Sequence, residues 1–549
     1  MILARLALAP ILLASAVSLA APAPLASASA ADSAAANRVR SHVEFLASDL
    51  LEGRATGSRG HEIAASYVAA QFRALGLKPA GENGGWYQWV PFRRATLVEG
   101  KSNLTLLANG QPVAMPAGAL TIRPSLTEKS RSFDAGLVFA GYGLDDRQLG
   151  FDDYSGLDAR GKIVVIFRGV PAGLSSDISA HLSSTKDKAA ARHGAVGLIE
   201  IPVAAPRVSA SPNAASARGR AAVDWVDSSG KAGGEPAGLR ARLTATPQAA
   251  DLLFAGAGRS LAAARKDAAA NGARPRGFAL RPTVRIQSDS QWEDFKSPEV
   301  IAMLPGADPA LKSQYVAMMG HLDHLGIKAD AKPGEDNIYN GALDNAAGVA
   351  TMLEAAREFV DSGKAPRRSI LFIAHTGEEL GLLGADYFAA HPTVPIANIV
   401  GGVDLDMPVP LYQFNDVVAF GGDHSTLARA IAEAGRSMNI GVSPDPMPEE
   451  SIFVRSDHYR FVERGVPAIL LFTGYGNGGK DKFEDFFAKR YHQVGDDLSQ
   501  PIMWDAAARY AEFNYRIARQ LADADQRPMW YQGNYFGDLF APGTPRATK

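Results

Sequence analysis

The 549-residue chain contains no cysteine, which excludes disulfides, thiolate zinc ligands and a lipid-anchored cysteine. It has no run of basic residues, and its formal net charge is -2, so a nucleic-acid partner is not expected. Beyond the N-terminal segment, no stretch is long and apolar enough to cross a bilayer. Apolar residues make up 46% of the chain, which is ordinary for a globular protein, and at roughly 150 residues per domain the length predicts two or three domains.

The N-terminal segment 1–30 differs in composition from the rest of the chain. Arg5 precedes an apolar stretch from Leu6 to Leu19, and Ala28-Ser29-Ala30 has the form of a cleavage site. These features indicate a secretory signal peptide. A membrane anchor is the alternative, but prolines and alanines shorten the apolar run below the ~20 residues that a span needs. We expect an exported protein, periplasmic or extracellular, without stable membrane insertion after cleavage.

Helical periodicity marks the segment from Ser41 to Leu77, which we assign with the rest of 31–96 to the N-terminal part of a catalytic domain. The two apolar stripes are Val43, Leu46, Leu50 and Leu51, followed by Ala65, Val68, Phe72 and Leu75. Gly53–Gly60 interrupts the stripes, and Gly76 is a typical helix end.

Residues 97–290 have a different pattern, in which short β-branched runs alternate with turn signals. Residues 162–167 and 196–201 predict strands, and 186–193 predicts an alanine-rich helix. Residues 204–238 are rich in Ala, Ser, Gly and Pro and predict a surface loop. Because no catalytic constellation stands out here, we interpret 97–290 as an inserted β-rich module.

Residues 291–549 alternate between strand and helix patterns. The predicted strands are 315–319, 369–374, 399–403 and 468–472, and the predicted helices are 346–360 and 503–521. This alternation predicts an α/β fold, a three-layer sandwich around a central, mostly parallel sheet.

Acidic and histidine side chains recur where these predicted strands end or helices begin. The candidate positions are His321, Asp344, the pair Glu378-Glu379, Asp406 and His492. Histidines and carboxylates without thiolates suit divalent metals, above all zinc. With the Glu378-Glu379 pair counted once, these are five candidate ligands, too many for one tetrahedral zinc but suited to two zinc ions that share a bridging carboxylate.

Each candidate also has an ordinary structural explanation. An aspartate before a helix is usually an N-cap, a Glu-Glu pair after a strand is usually a solvated turn, and a lone loop histidine is usually a surface residue. Four of the five positions, with Glu378-Glu379 counted once, fall where ligands of open α/β sheets gather, which favours a metal site. His492 lies in a loop before the closing helix. Asp323, two residues after His321, can orient its imidazole.

The same residues lie in segments that resemble the secreted di-zinc aminopeptidases, a family that includes bacterial leucyl aminopeptidase, aminopeptidase Y, glutamate carboxypeptidase and the transferrin receptor. The segments are Gly320-His-Leu-Asp-His-Leu-Gly326, Asn340-Gly-Ala-Leu-Asp-Asn-Ala-Ala-Gly348, Gly377-Glu-Glu-Leu-Gly-Leu-Leu-Gly384, Asp404-Leu-Asp-Met407, Ser456-Asp-His458 and Tyr491-His492. The resemblance covers residues 297–521, with a weaker echo in 41–77. Less specifically, the inserted module resembles a protease-associated domain at Phe139–Gly143, Asp153-Tyr154 and Gly161–Val165.

The resemblance implies two Zn²⁺ per subunit, peptide substrates and a role for each site residue. Asp344 would bridge the two zincs, and its peptide bond to Asn345 would be cis. The implied ligands are His321 and Asp406 at one zinc, and Glu379 and His492 at the other. Glu378 would be the general base, and Asp323 would hold His321 through its second ring nitrogen. Asp406 is preferred to Asp404 because it directly precedes Met407, and Gln493 stands where members often carry proline.

Several functional alternatives remain open from the sequence. Carboxypeptidase or dipeptidase activity is the main rival to an aminopeptidase, followed by glutaminyl cyclase chemistry and a receptor-like binding role. The native metal could instead be cobalt or manganese, and the oligomeric state is unknown. His324 and His458 are expected to line or support the pocket. The remaining pocket candidates, which also fit a surface loop, are Glu449, Glu450, Phe453, Arg455, Asp457 and Tyr459.

Overall fold

The computed structural model describes residues 30–203, 221–270, 272 and 274–549. Its α-helices are α1 (Ala30–Leu46), α2 (Arg59–Ala74), α3 (Ser176–Ser184), α4 (Lys186–Arg192), α5 (Pro247–Leu253), α6 (Leu261–Ala268), α7 (Ala347–Asp361), α8 (Leu383–Ala390), α9 (Leu427–Met438), α10 (His458–Val462), α11 (Gly479–Lys489), α12 (Trp504–Asp523) and α13 (Tyr535–Phe540). None of these described helices is long and apolar enough to span a membrane.

The strands are β1 (Lys78–Pro79), β2 (Tyr87–Ala108), β3 (Gln111–Pro112), β4 (Leu120–Ile122), β5 (Ser130–Phe139), β6 (Asp145–Asp146), β7 (Phe151–Asp152), β8 (Ile163–Phe167), β9 (Gly197–Ile201), β10 (Ala222–Trp225), β11 (Ala241–Ala245), β12 (Phe278–Leu304), β13 (Tyr315–His321), β14 (Gly326–Ile327), β15 (Ile338–Tyr339), β16 (Ser369–His375), β17 (Ile399–Asp404), β18 (Asp416–Phe420), β19 (Gly441–Ser443) and β20 (Ala468–Thr473).

The sheet of the C-terminal half runs in the order β19-β18-β20-β17-β13-β16-β12. Its central members β16, β13, β17 and β20 are mutually parallel, and their residues are almost all buried. Strands buried on both faces read as continuous apolar runs, as the sequence of these four does. Helices α1, α7 and α12 pack against one another, and α8 packs against α10. The prediction of an α/β fold with a central, mostly parallel sheet is therefore confirmed.

Two long antiparallel strands connect this sheet to the inserted module. Strands β2 and β12 pair along most of their length, and β12 continues into the module's strands in the order β5-β8-β9-β11-β4. The expected domain limits at 96/97 and 290/291 consequently fall inside continuous strands. The module nevertheless has its own apolar core, with Phe139, Phe167 and Phe254 near its centre. Its likeness to a protease-associated domain stays a prediction.

The first predicted helix is shorter than its apolar stripe suggested. Helix α1 ends at Leu46, and a 3₁₀ turn over Asp49–Arg54 begins where the Ser48 hydroxyl accepts the Leu50 N–H. Leu50 therefore points outward and is 84% exposed, contrary to its placement in the stripe. The signal segment, except Ala30, and residues 204–220 of the predicted loop lie outside the described residues.

Candidate metal centre

The candidate ligands converge beyond the carboxyl ends of the parallel strands. His321 is the last residue of β13, Glu378 and Glu379 follow β16, and Asp406 follows β17. Asp344 lies in the π-helical turn Ala342–Ala346 that leads into α7. His492 follows α11, and its side chain reaches the same cluster.

Asp344 lies between two groups of ligands and presents one carboxylate oxygen to each. Its Oδ1 is 3.2 Å from His321 Nε2, which in turn is 3.2 Å from Asp406 Oδ1. Its Oδ2 is 3.2 Å from His492 Nε2, which is 3.2 Å from Glu379 Oε2. The arrangement therefore consists of two His-carboxylate triads that share one aspartate.

The donor set fits divalent metal ions. His321, Asp344 and Asp406 are buried and can offer one atom each to a common cation. Asp344 and Glu379 form a second such group with His324, whose Nδ1 is 2.6 Å from Glu379 Oε1. Imidazoles and carboxylates at these positions are ligands that zinc takes readily. His324, expected to line or support the pocket, thus contacts a candidate ligand directly.

Electrostatic coupling dominates the protonation of this cluster. Burial alone would lower the pKa of His321, but Asp406 and Glu378 raise it well above its usual range. Burial alone would raise the pKa of Asp344, but hydrogen bonds from His321 and His492 hold it well below the usual range. Burial alone would also lower the pKa of His492, but the hydrogen bond to Asp344 and the charge of Glu379 outweigh burial and raise this pKa to about 9. The buried carboxylates therefore stabilise positively charged groups placed between them.

Glu378 lies beside the two triads without belonging to either. Burial raises its pKa well above the usual glutamate range. Its main-chain N–H donates to Asp323 Oδ1 at 3.2 Å, and the Thr56 hydroxyl donates to Asp323 Oδ2 at 2.8 Å. The Asp323 carboxylate thus fixes the backbone of the proposed base.

The contact between Asp323 and His321 differs from the expectation. His321 Nδ1 lies 3.0 Å from the main-chain carbonyl oxygen of Asp323, not from its carboxylate. The reason is that the carboxylate is already engaged by Thr56 and by the Glu378 N–H. A carbonyl partner still orients the ring so that Nε2 points at the triad.

Asn345 connects the loops that carry the ligands. Its Nδ2 donates to the Leu405 carbonyl at 2.9 Å, and its Oδ1 accepts the N–H groups of Gly348 and Met407. A Cβ at Gly348 would lie 2.0 Å from Asn345 Oδ1, so only glycine fits there. The Asp344–Asn345 peptide bond is cis, as the resemblance implied.

Two residues that support Asp344 were missed from the sequence. The buried Asp496 accepts the N–H of Leu343 at 3.1 Å and that of Asp344 at 3.0 Å. The buried Arg54 donates to the carbonyls of Leu322 and Asn340, which flank the two loops bearing His321 and Asp344. In the sequence Asp496 belongs to Gly495-Asp496-Asp497, which is typical of a turn. The only indication of a functional role is its position four residues after His492.

Asp404 has a different role from Asp406. Its Oδ2 accepts the His458 N–H at 3.0 Å, and the same oxygen is 2.8 Å from Ser456 Oγ. Ser456 Oγ is also 2.8 Å from Asp406 Oδ2, on the side away from His321. Asp406 therefore faces the candidate metal position, whereas Asp404 and His458 lie behind it.

A cleft leads to the two triads. Besides Asp344, Glu378, Asp406 and His492, its lining consists of Met407, Ile452, Arg455, Ser456, Leu470, Phe472, Phe487 and Tyr491. Of the six uncertain pocket residues, only Arg455 lines it. Glu449 and Glu450 are exposed, whereas Phe453, Asp457 and Tyr459 are buried and do not line the cleft.

The region that carries these features matches a known family. Residues 299–518 match the model described as Peptidase family M28. The matched region contains every candidate ligand from His321 to His492. The recognition of the family from its motifs is thereby confirmed.

Relatives of the M28 region occur in bacteria and fungi. Leupeptin-inactivating enzyme 1 of Streptomyces exfoliatus is 31% identical over 180 residues, which are 32% of this chain and 35% of that protein. The probable leucine aminopeptidase 2 of Aspergillus oryzae is 26% identical over 242 residues, which are 40% of this chain and 43% of that protein. The chain therefore spans less than half the length of either curated relative.

A solved structure shares the fold over most of the chain. The aminopeptidase from Aneurinibacillus sp. strain AM-1 aligns with 90% of this chain and 95% of its own, with a TM-score of 0.50 and 21% identity. The likeness extends beyond the M28 region, so the fold of the inserted module is included in it.

Proposed function

We propose that the protein is an exported metallo-aminopeptidase that removes N-terminal residues from peptides, with two Zn²⁺ per subunit. The observation that carries the proposal is the division of the Asp344 carboxylate, one oxygen 3.2 Å from His321 Nε2 and the other 3.2 Å from His492 Nε2. His321, Asp344 and Asp406 would hold one zinc, and Asp344, Glu379 and His492 the other. When bound, a zinc pair lowers the pKa of water and polarises a carbonyl.

Glu378 is the proposed general base. It takes a proton from the attacking water and passes it to the nitrogen of the leaving amine. Asp323 keeps it in place by accepting its main-chain N–H.

Selectivity for a free N-terminus is part of the proposal. Asp344, Glu378, Glu379 and Asp406 surround the end of the cleft with carboxylates. The free α-amine of the substrate would bind near one zinc and these neighbouring carboxylates, whereas an acylated amine is a poor ligand and carries no charge.

A panel of aminoacyl-anilides with N-acetylated counterparts tests this function, using the protein as isolated, after chelation and after zinc restoration. We expect cleavage that requires a free amine, stops with the chelator and returns with zinc. Cleavage of the acetylated substrates, or activity that survives complete metal removal, would contradict the proposal.

One observation favours a second candidate, a carboxypeptidase or dipeptidase. Arg455 is an exposed cation in the cleft lining, with Nη1 paired to Glu450 Oε2 at 2.8 Å and Nη2 3.4 Å from the Tyr491 hydroxyl. A guanidinium is the usual partner of a substrate carboxylate. Peptides with free or amidated C-termini separate the candidates, because only the second one requires the free carboxylate.

A further inference from the structure

One wall of the cleft is in contact with the inserted module. The wall segment, defined here as residues 448–456, contributes Ile452, Arg455 and Ser456 to the cleft lining. It consists of two short 3₁₀ turns, Pro448–Glu450 and Ile452–Val454. Such turns have few internal hydrogen bonds, so their position depends on what packs behind them.

Helix α3 of the inserted module packs against both 3₁₀ turns of the wall segment. The Ser451 hydroxyl lies 3.5 Å from the carbonyl oxygen of Ser176, the first residue of α3. On the next turn of the helix, His181 Nδ1 lies 2.6 Å from the Tyr459 hydroxyl oxygen, and both residues are buried. Burial lowers the pKa of His181 and raises that of Tyr459, so this hydrogen bond joins two neutral groups.

Aromatic rings extend the contact. The aromatic junction, as we name it, consists of His181, Phe453, Tyr459, Tyr535, Phe536 and Phe540. Phe453 belongs to the wall segment and is only 1% exposed. Tyr535 of α13 donates its hydroxyl to Asp146 of the module at 2.6 Å, so three separate parts of the chain meet here.

The wall segment also reaches a candidate metal ligand. Ser456 closes the segment, and its hydroxyl oxygen is 2.8 Å from Asp406 Oδ2. Tyr459 follows three residues later, at the start of α10, and its N–H donates to the Ser456 carbonyl at 3.1 Å. A continuous set of contacts therefore runs from His181 through Tyr459 and Ser456 to Asp406.

We propose that helix α3 of the inserted module holds the substrate-binding wall in place, with His181 and Tyr459 as positioning residues for substrate affinity. The module is thus part of the site and not a detached appendage. The identity of the substrate as a peptide rests on the proposed function, whereas the coupling of α3 to the wall does not.

The test compares two tyrosine hydroxyls of the full-length protein. Tyr459→Phe removes the bond to His181, and Tyr142→Phe is the matched control, since its buried hydroxyl donates to Ala268 inside the module at 3.1 Å. Hydrogen exchange of residues 448–456 is measured for both, together with KM and kcat for a peptide substrate.

We expect Tyr459→Phe to accelerate exchange in the wall segment and to raise KM about three- to tenfold, the range that one lost buried hydrogen bond produces, with kcat changed less than about twofold. Tyr142→Phe should leave both the wall segment and KM unchanged. His181→Phe, which keeps a ring in the aromatic junction, should give the same result as Tyr459→Phe. It serves as the test variant if Tyr459→Phe folds poorly.

The proposal would be overturned if Tyr459→Phe and Tyr142→Phe changed KM and hydrogen exchange equally. It would also be overturned if neither Tyr459→Phe nor His181→Phe changed hydrogen exchange at residues 448–456. If the wild-type protein cleaves no peptide, the proposed function fails by itself. The exchange measurement then still decides between a wall held by α3 and an independent one.

Discussion

At the residue scale, Glu378 and Glu379 are adjacent in sequence but have different surroundings. Glu379 faces His492 and His324, whereas Glu378 lies beside the triads with its N–H fixed by Asp323. The sequence order alone does not distinguish a ligand from a base. The structure separates them because consecutive residues at a strand end point in different directions.

Glu378→Gln should retain both metals and lose activity. Glutamine keeps the size of the side chain but cannot accept and return a proton, so kcat should fall about 10²–10⁴-fold. Metal content is measured by elemental analysis, and kcat with an aminoacyl-anilide. Glu449→Gln, an exposed residue near the cleft, is the control. A Glu378→Gln enzyme with kcat within about tenfold of wild type would refute its role as base.

Asp496 is the clearest support residue that the sequence did not reveal. Asp496→Ala leaves the N–H groups of Leu343 and Asp344 without their acceptor, so Asp344 loses its fixed position. We expect affinity for zinc to fall about 10–100-fold, as for other partners of metal ligands. Competition with a chelator measures this. Asp497→Ala is the neighbouring control, and equal affinities for the two variants would contradict the assigned role.

At the element scale, buried apolar runs were predictable and long mixed strands were not. The strand at 369–374 was recognised because every residue of β16 is buried, so the whole run is selected for apolar character. Strand β12 was missed because Ser288–Asp294 is polar at every position except Trp292, and because Pro282 and Pro298 interrupt the pattern. Its hydrogen bonds come from β2, far away in sequence, which no local pattern encodes.

Helix α7 contains a group that should make stability depend on pH. Burial, with Glu512 and Glu354 nearby, raises the pKa of Glu358 from 4.5 to about 8. The folded state therefore binds this proton more tightly than the unfolded state. The resulting stabilisation is fully present below pH 4.5 and is lost as the pH rises toward 8.

Glu358→Gln should remove this dependence. We expect a Tm increase of about 1–3 °C at pH 8 and a smaller change at pH 5, because glutamine never ionises. Thermal melts at the two pH values measure the difference. Glu44→Gln, on the exposed face of α1, is the control. An identical shift at both pH values would show that ionisation of Glu358 does not affect stability.

At the scale of the whole molecule, the sequence predicted the clustering of the candidate ligands better than the contacts that surround them. The ligand positions follow from strand ends, because parallel strands deliver their carboxyl ends to one edge of the sheet. The contacts of Arg54, Asp496 and His181 depend on chain segments separated by 150 residues or more from their partners. Such pairings are set by tertiary packing, and the local periodicity of apolar residues does not predict them.

Metal removal should destabilise the whole protein. Without cations, several carboxylates remain buried together, and a ligand that binds only the folded state stabilises it by mass action. Chelation should therefore lower the Tm of the wild type by several degrees. The Asp344→Asn variant, which lacks the shared carboxylate, should lose much less on chelation. Equal losses would show that the metals do not bind at Asp344.

The most direct test of the central claim is anomalous diffraction at the zinc edge from crystals of the zinc-loaded protein. The account predicts two peaks on opposite sides of the Asp344 carboxylate. One should lie among His321, Asp344 and Asp406, and the other among Asp344, Glu379 and His492. A single peak, or zinc bound away from Asp344, would contradict the bridged two-metal centre on which the proposed function depends.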